Sequence, residues 1–339
     1  MNGPMTAHTP VFHQATIHVD TLRLALIKDA QGNQYDWRAT YPVLATLDNM
    51  IMKRGATIFP DDCPNDAIDV YALAQLNLPI NTGWAIAEAA AHQIPAAIND
   101  LTQHHSNPWF RLTPVHWRAG RDQVHLVAFD ASEIHLQESK QLLEILAPWL
   151  AEWGWHLHVV ATNQWFVRAD QPFDYAAPSL EVASSDQLEH FLPQGADLKR
   201  WQTLLTEIQM AWFNHPVNQA REEQGRLPIN SVWLDNASSA NQWTVTSAAQ
   251  WLTEKTQIKI FNSTDIHEHL RQLDAALSPV LDELKQTGHS TLTFLGEMWQ
   301  QDIELHKPAL TARLKNFMSL DKQHPLNWLE TPQFDFLGA

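Results

Sequence analysis

Between Leu198 and Trp212 the apolar residues Leu198, Trp201, Leu204, Leu205, Ile208 and Trp212 recur at three- and four-residue steps, with Lys199, Arg200, Gln202, Thr206 and Gln209 off that stripe. This period predicts an amphipathic helix over 198–213. The same spacing marks 136–154, where Leu142, Leu143, Leu146, Trp149 and Leu150 share a face and Gly154 supplies a stop. Upstream, 41–55 (closed by Gly55), 66–78 and 81–100 (interrupted by Pro95) read as helices. The first hundred residues are therefore mainly helical, with an alternating strand pattern at 16–27. From 111 the texture changes. Two β-type runs flank "RAGRD" and predict a hairpin over 111–130, and a second hairpin covers 155–170.

Residues 170–197, rich in proline, serine and acids, read as a loop-rich connection and the best domain boundary. Beyond them the pattern predicts a helix at 198–213, a strand at 229–234 and a helix at 243–256. A strand at 257–262, a helix at 265–288, a strand at 290–296 and a mixed tail follow. The expected fold class is mixed α/β: an α+β N-terminal and middle part with antiparallel hairpins, then an α/β C-terminal part. The parts are 1–110 (mainly helical), 111–175 (hairpin–helix–hairpin) and 176–339 (α/β), assembled into one or two compact domains.

Composition narrows the function classes. A formal net charge of −16 and the lack of a Lys/Arg run disfavour direct nucleic-acid binding and anionic membranes. The single cysteine, Cys63, allows no intramolecular disulfide and excludes cysteine-based zinc and iron–sulfur sites. No apolar run approaches a bilayer span, and the N-terminus lacks a signal-peptide pattern. The expectation is a cytoplasmic protein. Fifteen tryptophans point to a core rich in large aromatics, the other reading being a stacking platform for bases or sugars.

One stretch concentrates polar chemistry. After the helix at 198–213, Pro216 has no N–H to give, so the helix must end or kink at His215. Pro216 then opens a short helix, capped by Asn214 or His215, on which Asn218 and Arg221 face the same way. Glu207, Gln209, Asn214, His215, Asn218, Arg221, Asn230 and Ser231 are expected to cluster, either as a polar clamp tying the helix bend to the following strand or as a ligand pocket at a strand end. Glu207, on the preceding helix, is a candidate partner for the Arg221 guanidinium. His116 and Trp117, on the first hairpin, form a secondary candidate site. His156 and His158 share a strand face at metal-ligand spacing, with no further ligand nearby in sequence.

The stretch "LTEIQMAWFNHPVNQAREEQGRLPINSVWL" (205–234) resembles the signature of the RpfE-type regulatory proteins of proteobacteria, a family often labelled similar to cofactor-independent phosphoglycerate mutase. "LTPVHWRAGRDQVHL", "ESKQLLEILAPWLAEWGWHLHV", "HFLPQGADLKRWQTLLTEIQM" and "STLTFLGE" resemble further blocks of that family in the same order. Two features depart from it. Asp235, Asn236, Ala237 and Ser238 stand where the family has a glycine-containing turn, and "EVASSDQLEH" stands where it has an arginine-containing segment. The mutase label implies two metals and a nucleophilic serine. Ser231 lacks the context of a nucleophile elbow, and no phosphate-binding loop or dinucleotide fingerprint occurs. The reading is a non-catalytic regulatory protein without a cofactor or metal, binding an unknown protein or small-molecule ligand and free to form a homo-oligomer. The alternative is a metal-dependent phosphoryl-transfer enzyme or its degenerate descendant.

Overall fold

The structure, a computed structural model, describes residues 11–14, 37–47, 50–60, 63–119, 124–184, 192–261, 266–295 and 299–307. The chain forms two compact units, one of residues 61–255 and one built from 1–60 together with 256–339. The fold class is mixed α/β.

The first segment contributes β1 (Val11–Gln14), α1 (Trp37–Thr40), α2 (Pro42–Leu47) and β2 (Ile51–Ile58). The helix expected over 41–55 is corrected: it stops at Leu47, and Ile51–Ile58 is extended, paired residue for residue with 299–306. Gly55 lies mid-strand opposite Asp302 rather than closing a helix. The strand expected at 16–27 lies outside the described residues.

The unit of 61–255 follows with α3 (Ala67–Gln75), α4 (Ala85–Ala91) and α5 (Pro95–Gln103). Pro95 sits in the first turn of α5, where its missing N–H costs nothing, so the helix expected over 81–100 is two helices. Then come β3 (Trp109–Ala119), β4 (Val124–Ala128), α6 (Leu136–Glu152), β5 (Trp155–Ala161), β6 (Gln164–Ala169) and α7 (Leu180–Ser184). The unit ends with α8 (Leu198–Phe213), α9 (Pro216–Glu223), β7 (Ser231–Ser238) and α10 (Val245–Gln257).

In its sheet β3 pairs with β6 through Trp109–Leu112, with β4 through Val115–Ala119 and with β7 through Trp109–Val115, β5 pairs with β6, and every pairing is antiparallel. Strand alternation sorts side chains onto two faces. Phe110, Leu112, Trp165 and Val167 join Leu142 and Leu146 of α6 and Trp201, Ile208 and Trp212 of α8 in one core. Trp109 and Phe166 join Trp84 and Ile86 of the α4 region and Trp251 of α10 in a second. The sheet is thus a middle layer between two sets of helices. The connection at 170–197 lies inside this unit, where its described residues are tied down by the Ala176–Gln194 bridge and by the Trp233 indole N–H donating to the Pro178 carbonyl at 3.0 Å. The chain passes between units at 60/61 and 255/256 instead.

The last segment adds β8 (Lys259–Phe261), α11 (Ile266–Ala276), α12 (Ser278–Thr287), β9 (His289–Leu295) and β10 (Trp299–His306) to the other unit. Its sheet has the order β2-β10-β9-β1-β8, with β1 parallel to β8 and β9 and the β10 pairings antiparallel. Pro279 divides the helix expected over 265–288. The tail, expected to be mixed, carries β10, in which Gln301, Ile303 and Leu305 are buried and Asp302 and Glu304 between them are exposed. Leu44, Leu47, Leu270, Leu273, Leu284, Leu292 and Phe294 form the core of this unit. No helix among the described residues is long and apolar enough to cross a membrane.

Candidate functional site

Helix α8 breaks at Pro216, and the residues around the break are held by a dense set of bonds. His215 caps α9, its Nδ1 accepting from the Val217 amide at 3.2 Å. Asn218 is buried; its amide donates to the carbonyls of Trp212 and Ile229 and accepts from the Ile229 N–H, each at 2.8 Å. It therefore joins the end of α8 to the entry of β7. The exposed Asn214 contributes its carbonyl, which accepts from Gln219.

Arg221 is 2% exposed. Its guanidinium donates to the Leu227 carbonyl at 2.7 Å, the Glu133 carbonyl at 3.0 Å and Glu138 Oε2 at 2.9 Å, and it lies over the Phe129 ring. The expected pairing with Glu207 is corrected: Glu207 is exposed on α8, and the carboxylate that reaches Arg221 comes from α6. Burial pushes the Glu138 carboxyl up, but the His135 amide and the guanidiniums of Arg226 and Arg221 outweigh burial and leave it below the usual carboxylate range. These bonds hold Arg221 within the protein, and it is not among the residues that line the cleft beside α8.

A cleft of about 690 Å³ opens on the other side of the bend. Helix α8 supplies one wall with Gln202, Leu205, Thr206, Gln209 and Phe213, which share a face distinct from the buried stripe of Trp201, Leu204, Ile208 and Trp212. Leu205, grouped with the stripe by its spacing, belongs to this second face. Trp117 and Asn230 form the opposite wall. Asn230 accepts from the Trp117 N–H at 2.7 Å and donates to the Trp117 carbonyl at 2.9 Å, which fixes both residues. Gln209 donates to the hydroxyl of fully buried Ser231 at 3.1 Å. The fold thus brings Gln209, Ser231, Asn230 and Trp117 together at the cleft, and His116 anchors the same strand through a 2.8 Å contact between Nδ1 and the Pro228 carbonyl.

The paired histidines on β5 are engaged in different ways. His156 Nε2 is 2.9 Å from Asp170 Oδ2, and the ring is exposed. His158 stacks on Trp109 at 5.2 Å, and its pKa is lowered by burial and then by the nearby charges of His156 and Arg168, which favours the neutral ring. Among the described residues, no group of three or more His, Cys, Asp or Glu side chains is arranged to hold a metal ion. The described donor set therefore does not fit the two-metal centre that the mutase label implies.

A buried ionic cluster escaped the sequence reading. Arg111 on β3 donates to Asp235 on β7 at 2.9 and 2.6 Å and to Glu181 on α7 at 2.9 and 2.8 Å. Asp235 also accepts from the Leu180 N–H at 2.6 Å. Lys255 on α10 bonds Asp69 on α3 at 2.5 Å. Both cations contact the Trp84 ring, the Arg111 guanidinium at 4.6 Å and Lys255 Nζ at 4.9 Å from its centroid. Acids outnumber bases here, and burial pushes the Glu88 carboxyl up to about 7, reinforced by Asp69 and Glu181 and opposed by Lys255 and Arg111. Asp235 to Ser238 belong to β7 and make no turn. Ser238 Oγ accepts from the Ile86 N–H at 2.9 Å, and the Ala237 carbonyl passes so close to Gly83 that a Cβ there would sit 2.0 Å from its oxygen. The partners of Arg111 and Lys255 lie 70 to 186 positions away, so no local spacing signals them.

No family model matches the chain. The "Probable 2,3-bisphosphoglycerate-independent phosphoglycerate mutase" of Geobacter sulfurreducens is 25% identical over 155 residues, which are 45% of this chain and 37% of that protein's length. Among solved structures, the cofactor-independent phosphoglycerate mutase of Thermoplasma acidophilum is 14% identical with a TM-score of 0.30, covering 88% of this chain and 90% of that one. The PH0037 protein of Pyrococcus horikoshii is 10% identical with a TM-score of 0.41, covering 88% and 87%. The chain shows weak homology to cofactor-independent phosphoglycerate mutase-like proteins.

Proposed function

We propose that this chain is a non-catalytic regulatory protein of the RpfE type, distantly related to the cofactor-independent phosphoglycerate mutases, that recognises a ligand in the cleft beside α8. One observation carries this reading. The cleft is bounded by Trp117, Leu205 and Phe213 with three amides and a threonine hydroxyl, and none of these groups titrates near neutral pH. Acid–base catalysis needs a group that can exchange a proton at the working pH, whereas amides and aromatic rings are suited to recognition. Arg221, although close in sequence to this region, is not among the lining residues and donates instead to Glu138 and two carbonyls. A cytoplasmic setting agrees with the single, buried cysteine.

Saturation-transfer NMR with mixtures of small neutral and charged fragments tests the reading. Fragments that bind the wild type should lose their signal with Phe213→Ala, an exposed position whose truncation leaves the core intact. Fragment binding that is indifferent to that substitution would refute the cleft as the recognition site.

The similarity to the Geobacter protein favours a second reading, a metal-dependent phosphoryl-transfer enzyme or its degenerate descendant. Stoichiometric retention of manganese after dialysis would support it.

A further inference from the structure

The cleft beside α8 has a chemistry that selects among ligands. The polar groups that line it among the described residues are neutral, so an ionic ligand would be stripped of water there without a counter-charge from them. A purely apolar ligand would fail for the opposite reason, since it would cover amide groups that still have hydrogen-bonding capacity. Gln209 uses its N–H on Ser231 and keeps its carbonyl oxygen. Asn230 uses one N–H and one lone pair on Trp117 and keeps the second of each. The Thr206 hydroxyl donates to the Gln202 carbonyl at 2.8 Å and retains its acceptor lone pairs.

These groups are also pinned. Asn230 is bonded twice to one residue of β3, and Gln209 is anchored to a serine with no exposure. Fixed amides lose little freedom on binding. Beside them Phe213, at 73% exposed, presents an uncovered aromatic ring, and Trp117 presents a half-buried one held edge-on to Trp233 at 5.8 Å. The ligand that matches has a face of C–H groups for the rings and a rim of hydroxyls that both donate and accept.

We propose that the cleft binds a neutral carbohydrate, such as a short oligosaccharide. This rests on the cleft being the recognition site proposed above, and it names the ligand class. A volume of about 690 Å³ is within the usual range of small-molecule sites. The expected contacts are C–H groups against Phe213 and Trp117, and hydroxyls bridging Gln209, Asn230 and Thr206.

The test is saturation-transfer NMR on the full chain with maltotriose, cellotriose, xylotriose and chitotriose as probes. At least one should receive saturation at its ring C–H protons. Phe213→Ala and Gln209→Leu should each weaken that binding about tenfold, the loss of one stacking or hydrogen-bond contact. Phe213→Tyr should preserve it, and so should Met210→Ala, an exposed change outside the lining. Thermal melts of each variant confirm folding. No transfer to any of the four sugars, or transfer equal in wild type and both cleft variants, overturns the carbohydrate assignment. If charged, apolar or proline-rich peptide probes then bind in a Phe213-dependent way, the cleft remains the recognition site with another ligand. If no probe of any class does, both readings fall.

Discussion

Replacing Arg221 with alanine removes a cation that is 2% exposed and holds three elements together. Its bond to Glu138 is charge-assisted, a type worth roughly 1.5–3 kcal/mol. Glu138 would keep Arg226 at 2.7 Å, and the Glu133 carbonyl would keep Arg226 at 2.5 Å, so neither is abandoned. The Leu227 carbonyl loses the arginine donor at 2.7 Å, but it belongs to an exposed residue where water can replace that donor, so the loss is one net hydrogen bond, roughly 0.5–1.5 kcal/mol. The ring contact with Phe129 adds about 0.5–1 kcal/mol. The total is about 2.5–5.5 kcal/mol, and the roughly 3–5 kcal/mol cost of breaking other buried ion pairs is taken as the expected loss. For a unit of this size each kcal/mol moves Tm by roughly 2–4 °C, so differential scanning calorimetry should show a drop of about 6–20 °C. Glu207→Ala, at the exposed position first expected to pair with Arg221, should stay within about 0.5 kcal/mol of wild type. An Arg221→Ala protein melting within about 2 °C of wild type would show that these bonds contribute no net stability.

Glu88→Gln should stabilise the chain at pH 8 and change it little at pH 5. Burial raises the Glu88 carboxyl from 4.5 to about 7, so the folded state binds that proton more tightly than the unfolded one. Its contribution is present below pH 4.5 and is lost as pH rises to about 7, a loss of up to about 3 kcal/mol by linkage. Glutamine keeps an oxygen for the Gln164 amide that donates to Glu88 at 3.1 Å, and urea midpoints at the two pH values should differ in the stated direction. Gly83→Ala should cost more than about 3 kcal/mol or prevent folding, because the new Cβ would lie 2.0 Å from the Ala237 backbone oxygen; soluble yield and far-UV circular dichroism read this directly.

What the sequence revealed tracks how local each signal was. The α6 and α8 stripes, the two hairpins and the break at Pro216 each lie within a short window, and all appear in the structure. β2 was mistaken for the end of a helix because "IMKRGATI" lacks a clean period and Gly55 resembles a helix stop. β10 carried an alternation from Gln301 to Leu305 that the mixed composition around it obscured. The polar cluster around Arg221 was visible as composition, but its carboxylate partner was not. Glu138 lies 83 positions away, and sequence proximity suggested Glu207 instead. The cleft was half visible: Gln209, Asn230 and Trp117 were singled out, whereas Phe213, Thr206 and Gln202 were hidden among ordinary helix-surface positions. The Arg111 and Lys255 networks had no local trace, because only the antiparallel register of β3 with β7 and the packing of α10 create them.

The central claim is that this chain recognises a ligand without transferring a phosphoryl group. The most direct test is turnover of 3-phosphoglycerate by the purified full chain with manganese supplied, followed by phosphorus NMR. The account predicts no 2-phosphoglycerate and no free phosphate above the enzyme-free control. Sustained conversion to either product would contradict it.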